Sequence, residues 1–233
     1  MEATLLDQPL FEASEAGMER FVKQAEDLLA SQLSDWSVYR EGDGIKMWTR
    51  PVPYAGTPLA RLEVHVKAPV EQSWAVLRNS EEMKRWDPSD LGITILKQVS
   101  PAPVDNALMF QLNQLPIPCT SVREVLQQRI VLDDKKLLTA CSVTSPEYPP
   151  TAGRVRYPQR MLCMRVRASA PGEASTSESS PALAAASVVD ILIQVEQEGW
   201  CCLGALLNLA STPSFFSVMA PGIRRICEEG PSK

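Results

Sequence analysis

His65 is the only imidazole in the chain, and that single fact removes most of the reaction chemistry a sequence of this kind could offer. Hydrolysis by a Ser/His/Asp or Cys/His set needs an imidazole beside its nucleophile. His65 shares a strand face with Arg61, Glu63 and Lys67, a charged row that reads as surface. One histidine also leaves too few ligands for a catalytic metal, and the six cysteines at 119, 141, 163, 201, 202 and 227 lack the paired spacing of a zinc site. Set in apolar segments, they read as reduced thiols. The acidic pairs Glu81-Glu82, Asp133-Asp134 and Glu228-Glu229 fall in polar helix or turn contexts and read as solvated charges. No catalytic residue, metal or cofactor is assigned.

Two polar residues suit ligand recognition better. Asp87 stands between Trp86 and Pro88, where a carboxylate caps a turn through its own backbone or bonds a partner at a cavity. Arg129 shares strand parity with Arg123, Val125, Gln127 and Val131, opposite Glu124, Leu126, Gln128 and Ile130. An arginine cannot shed its proton, so on an apolar face it requires a partner. The candidates are Asp87, Asp190, ordered water or a ligand.

The elements that must position these residues follow from periodicity. Met18, Phe21, Val22, Ala25, Leu28 and Leu29 recur at helical spacing, after a loose tail over 1–9. Alternation around Ile45–Arg50 and Arg61–Lys67 predicts two strands. Pro69 fits the first turn of a helix through Trp74 and Leu77, and Ser80 caps a second short helix ending near Pro88. Strand-like stretches follow at 92–99, 106–113, 122–132, 137–144, 160–168 and 187–197. The Ser- and Pro-rich segment over 170–187 reads as a flexible hairpin insertion. A long apolar helix closes the chain after Gly199, interrupted at Pro213 and at Pro221-Gly222, where it is expected to kink or break. The expectation is one α+β domain over 10–230, a curved antiparallel sheet covered by the last helix.

Composition limits the partners. A net charge of −5 across 233 residues argues against a nucleic-acid partner, although five arginines from Arg154 to Arg167, with no acid between them, suggest a local basic stripe. No apolar run reaches the roughly 20 residues needed to span a bilayer. The start of the chain carries no targeting pattern, so the reading is cytoplasmic and monomeric, with the protein partner unknown.

The element order resembles the StAR-related lipid transfer (START) domain family. Gly44-Ile45-Lys46-Met47-Trp48, Trp86-Asp87, Arg123-Glu124-Val125, the stretch from Pro150 to Arg156, and the motifs Leu206–Ala210 and Pro213–Met219 are similar to the family's landmarks in order and spacing. The resemblance implies a helix-grip fold whose sheet wraps the C-terminal helix around an internal cavity for one lipid. It implies a ligand-binding set of Arg129, Arg123, Gln127, Asp87, Trp86, Met83, Phe110, Phe215, Phe216 and Met219, with transient membrane contact through the 114–119 loop and the last helix. Met83 stands where the phosphatidylcholine-transfer branch has an arginine. The strand before Arg129, Ala107–Leu112, lacks the acid that sterol-binding members place opposite their cavity arginine. The implied function is lipid binding and transfer between membranes; the alternatives are a lipid-sensing regulatory module and a helix-grip cyclase or hydrolase.

Overall fold

A computed structural model describes residues 14–52, 57–87, 89–100, 104–114, 122–170, 186–195 and 219–232. Helix α1 spans Glu15–Ala30 and starts where Ser14 Oγ accepts the Gly17 N–H, satisfying one of the amides that the first turn leaves open. Its buried face is Met18, Phe21, Val22, Ala25, Leu28 and Leu29, the row expected from spacing.

Strands β1 (Ser37–Gly42), β2 (Ile45–Arg50) and β3 (Leu59–Val66) form a meander. The link from β1 to β2 is a tight Asp43-Gly44 hairpin in which both residues have positive φ, 50° and 64°. That backbone matches the twist of the flanking strands and favours Asp-Gly. Helix α2 (Val70–Leu77) follows Pro69, then a 3-10 turn over Ser80–Arg85. Asn79, not Ser80, caps that turn, its side chain accepting the Glu81 N–H. Strands β4 (Asp90–Ser100), β5 (Val104–Asn113), β6 (Arg123–Leu132), β7 (Leu137–Ser142), β8 (Val155–Arg156), β9 (Gln159–Ala168) and β10 (Ser187–Val195) complete one sheet. The order is β1-β2-β3-β10-β9-β7-β6-β5-β4, antiparallel throughout except that short β8 runs parallel to β6.

Alternation along the strands gives the sheet two faces. The outer face packs on α1 through Trp48, Leu126, Ile130, Cys163 and Leu192. On the inner face Met47, Leu62, Val64, Met164 and Ile191 meet α2 and the final helix, α3, which is described over 219–229. Met219, Ala220, Ile223, Ile226 and Cys227 form the apolar stripe of α3, and each of its Met and Ile side chains contributes about 1.5–3 kcal/mol on full burial.

The α3 helix runs through Pro221 and Gly222 without a break, contrary to the interruption expected there. Gly222 serves close approach: a Cβ at this position would lie 3.2 Å from the Trp86 carbonyl oxygen. The C-terminal end is pinned by polar contacts. Arg85 pairs with Glu82 and Glu229 and donates to the Gly230 carbonyl, while Gln72 Nε2 donates to the Cys227 carbonyl. Glu82, read from sequence as solvated, is buried here and also accepts the Ser232 N–H.

Candidate functional site

The inner face changes character along its length. Under α3 it is hydrocarbon, whereas toward β4 it carries a line of buried amides and charges. Gln111 on β5, Gln127 on β6 and Gln159 on β9 join end to end: Gln159 Nε2 donates to Gln127 Oε1 at 3.0 Å, and Gln127 Nε2 to Gln111 Oε1 at 3.1 Å. Gln111 Nε2 then reaches Asp90 Oδ1 and Met83 Sδ, each at 3.2 Å. The Gln159 N–H donates to Ser142 Oγ, and Asn113 Nδ2 donates to Tyr157 Oη. A register shift between Gln194 and Val195 in the β9–β10 pair turns Gln159 to the same side as Gln127.

Three ionisable groups share this end, and none exceeds a tenth of its surface exposed: Asp87 at 7%, Asp90 at 8% and Arg123 at 8%; Arg129, 6% exposed, lies farther along β6, beyond Gln127. Burial pushes the Asp87 carboxyl above the usual carboxylate range, although its Oδ1 accepts both the N–H and the hydroxyl of Ser89. Burial also raises Asp90, and the nearby Asp87 charge adds to the shift against the Gln111 hydrogen bond. Burial lowers the Arg123 guanidinium, whose Cζ lies 5.8 Å over the Tyr157 ring. The same burial pushes the Tyr157 hydroxyl well up. Arg129 sits between two alanines, Ala107 on β5 and Ala140 on β7.

The structure therefore brings Arg129, Arg123, Gln127, Asp87, Trp86 and Met83 to the inner face, with Met219 in the apolar core beside them. Phe110 does not belong there. Its strand register pairs it with Leu126, which turns its ring to the outer face, edge-on to Tyr148 at 6.0 Å and under the Arg156 guanidinium. Phe215, Phe216 and residues 115–119 of the expected membrane loop lie outside the described residues.

Asp190 cannot partner Arg129. It lies on the outer face and accepts from Arg165 Nη2 at 2.7 Å and from Arg167 Nε at 3.1 Å. The same pairing dissolves the expected basic stripe. Arg156 is likewise held by Glu124 at 2.8 Å, and Glu124 stays below the usual range because Thr151 and Arg156 outweigh the upward pull of burial.

Asp90, Gln111, Asn113, Tyr157 and Gln159 were not singled out by the sequence reading. Gln111 and Asn113 did carry a signal, because they share parity with the buried Met109 and Ala107 and are polar on an otherwise apolar row. For reaction chemistry the site offers little. Among the described residues no group of His, Cys, Asp or Glu could hold a metal. Cys141, Cys163 and Cys227 are buried thiols raised by burial, Cys227 to about 12.

No family model matches the sequence, and no curated protein matches it. Solved structures do resemble the fold. Human StAR-related lipid transfer protein 5 aligns with a TM-score of 0.73 at 16% identity, covering 92% of this chain and 96% of that one. Human STARD10 aligns at 0.65 and 17% identity, over 97% of this chain and 86% of that one. The human StarD13 lipid transfer and protein localization domain aligns at 0.61 and 13% identity, over 91% and 97%. The chain has an α+β, START-like helix-grip fold. Among its described residues no helix is long and apolar enough to cross a membrane.

Proposed function

We propose that this protein binds one hydrophobic lipid on the inner face of its sheet and carries it between membranes, without chemical change to the lipid. The observation that supports this most is the Gln159–Gln127–Gln111–Asp90 line. A fold stabilised only by packing gains little from burying amides and carboxylates, since each must be matched at a desolvation cost. A lipid has both parts such a face suits: a hydrocarbon body for the row of Leu62, Val64, Met164 and Ile191, and a polar end for Arg129, Gln127 and their neighbours. Removing apolar surface from water supplies the driving force, about 25 cal/mol per Å².

The solved structures of like fold include proteins named for lipid transfer, which favours a carrier over an enzyme. Assays of fluorescent-lipid transfer between vesicles test the reading. Arg129→Met and Gln127→Leu are expected to slow transfer at least tenfold, while Phe110→Leu, on the opposite face, leaves the rate within twofold, about 0.4 kcal/mol. Equal rates across all three variants, with the parent indistinguishable from buffer, would reject it.

A further inference from the structure

Strand β4 forms one edge of the sheet, and its backbone resists a further strand. Its pairing with β5 shifts register three times, between Asp90 and Gly92, between Ile95 and Lys97, and between Gln98 and Ser100. Each shift leaves one residue of β4 without an opposite number, and all three are apolar: Leu91, Leu96 and Val99. Such bulges bend an edge and interrupt the row of backbone groups that another chain would extend. Leu96 and Val99 pack partly on the outer core. Leu91 stays 46% exposed and Ile95 55%, roughly 13 Å apart at the rise of a strand. Between them Ile93 packs partly against the inner core and pairs with Gln111 of the buried line.

Two exposed cations stand at the same edge. Lys97 follows the second bulge, and Lys84, on the preceding 3-10 turn, reaches over Gly92. A Cβ at Gly92 would lie 3.5 Å from Lys84 Nζ, so the glycine leaves the ammonium room beside Leu91. The Lys84 charge opposes the upward shift of buried Asp90, yet among the described residues neither lysine makes an ion pair. Glu81, exposed on the same turn, is not paired with Lys84. We propose that the β4 edge docks on a membrane surface containing anionic lipid, with Leu91 and Ile95 entering the interface and Lys84 and Lys97 meeting the phosphates. The bulges disfavour a strand from a second copy, and the unpaired lysines fit a partner of negative charge. A chain of net charge −5 is repelled by such a surface elsewhere, so this edge also orients it. Docking here rests on the carrier reading for its use, since Asp90, the first residue of β4, belongs to the line at the candidate lipid site.

Co-sedimentation of the full chain with vesicles tests the docking, while native mass spectrometry reads cargo separately, so either reading can fail while the other stands. The parent is expected to bind vesicles of phosphatidylcholine and phosphatidylserine, to bind phosphatidylcholine alone at least tenfold more weakly, and to be released by salt. These readouts do not depend on how any variant folds. Lys84→Gln with Lys97→Gln should weaken binding at least tenfold, at about fivefold for each lysine near an anionic surface. Leu91→Ser with Ile95→Ser should weaken it at least fivefold, the scale of two half-exposed side chains entering the interface. Val38→Ser with Tyr39→Ser, equally exposed on β1 at the opposite edge, should leave it within twofold. Three results would overturn the proposal: a parent that ignores phosphatidylserine vesicles, β1 changes that weaken binding as much as β4 changes, or a vesicle-free dimer that the β4 changes dissolve, which would assign the edge to a second copy.

Discussion

Asp87 and Asp90 show what burying a charge does, and pH measures it. Both carboxyls are raised, with burial as the first cause, so the folded chain holds their protons more tightly than the unfolded chain does. Their contribution to stability is fully present below the unfolded aspartate value, about 3.9, and is lost as pH rises through the folded values. Asparagine mimics the protonated acid and keeps an acceptor for Ser89. Asp87→Asn should therefore melt above the parent at neutral pH, and thermal scans should show the gap closing as pH falls toward about 4. A gap independent of pH would mean that the carboxyl is not raised. Gln127 is the second residue-scale case. Gln127→Leu leaves Gln111 Oε1 without its donor and Gln159 Nε2 without its acceptor in the buried line, at a cost of about 1–3 kcal/mol in denaturant unfolding. The site was partly legible from single residues: parity on β6 placed Arg123, Gln127 and Arg129 together. On β5 the same parity argument selects Gln111 rather than Phe110 for the inner face. Gln159 was beyond reach, because a register shift in the β9–β10 pair, invisible in the sequence, decides which way it points.

At the scale of elements, α1 and the long strands followed their periodicity, while the irregular pieces did not. The β1 strand is exposed along its whole length, so no alternation marked it; the Asp43-Gly44 pair that closes its hairpin was the available sign. Two-residue β8 is too short for any period. Pro221-Gly222 misled for a related reason, because the glycine answers a neighbour distant in sequence. Gly222→Ala tests this. Helix propensity alone would stabilise by about 1 kcal/mol, but a Cβ 3.2 Å from the Trp86 carbonyl forces the packed helix to shift, typically at about 1–3 kcal/mol. Net destabilisation by denaturant unfolding is the expected outcome, and a stabilised variant would show that the contact yields freely. Arg85 makes the complementary case for the other end of α3. Arg85→Ala leaves buried Glu82 short of its cation and should lower stability in denaturant unfolding, by less than the loss of a fully buried pair because Arg85 reaches solvent. Adding Glu82→Gln should restore part of the loss in the same measurement.

For the whole molecule, composition and element order pointed to a sheet closed by a final helix, and the strand order β3-β10-β9-β7-β6 shows how that is built: the last strand inserts between the first meander and the second. No local pattern encodes such a long-range pairing. The division of labour between the faces is also a property of the whole, with α1 and its core outside, and hydrocarbon grading into buried amides inside. The central claim is that the inner face holds a lipid. Native mass spectrometry of the purified chain, followed by identification of the released molecule, tests it most directly. The account predicts one lipid per chain in the parent, retained in Phe110→Leu and depleted in Arg129→Met and Gln127→Leu variants that remain folded. Spectra showing only the bare chain after exposure to sterols, phospholipids, ceramides and fatty acids would contradict it.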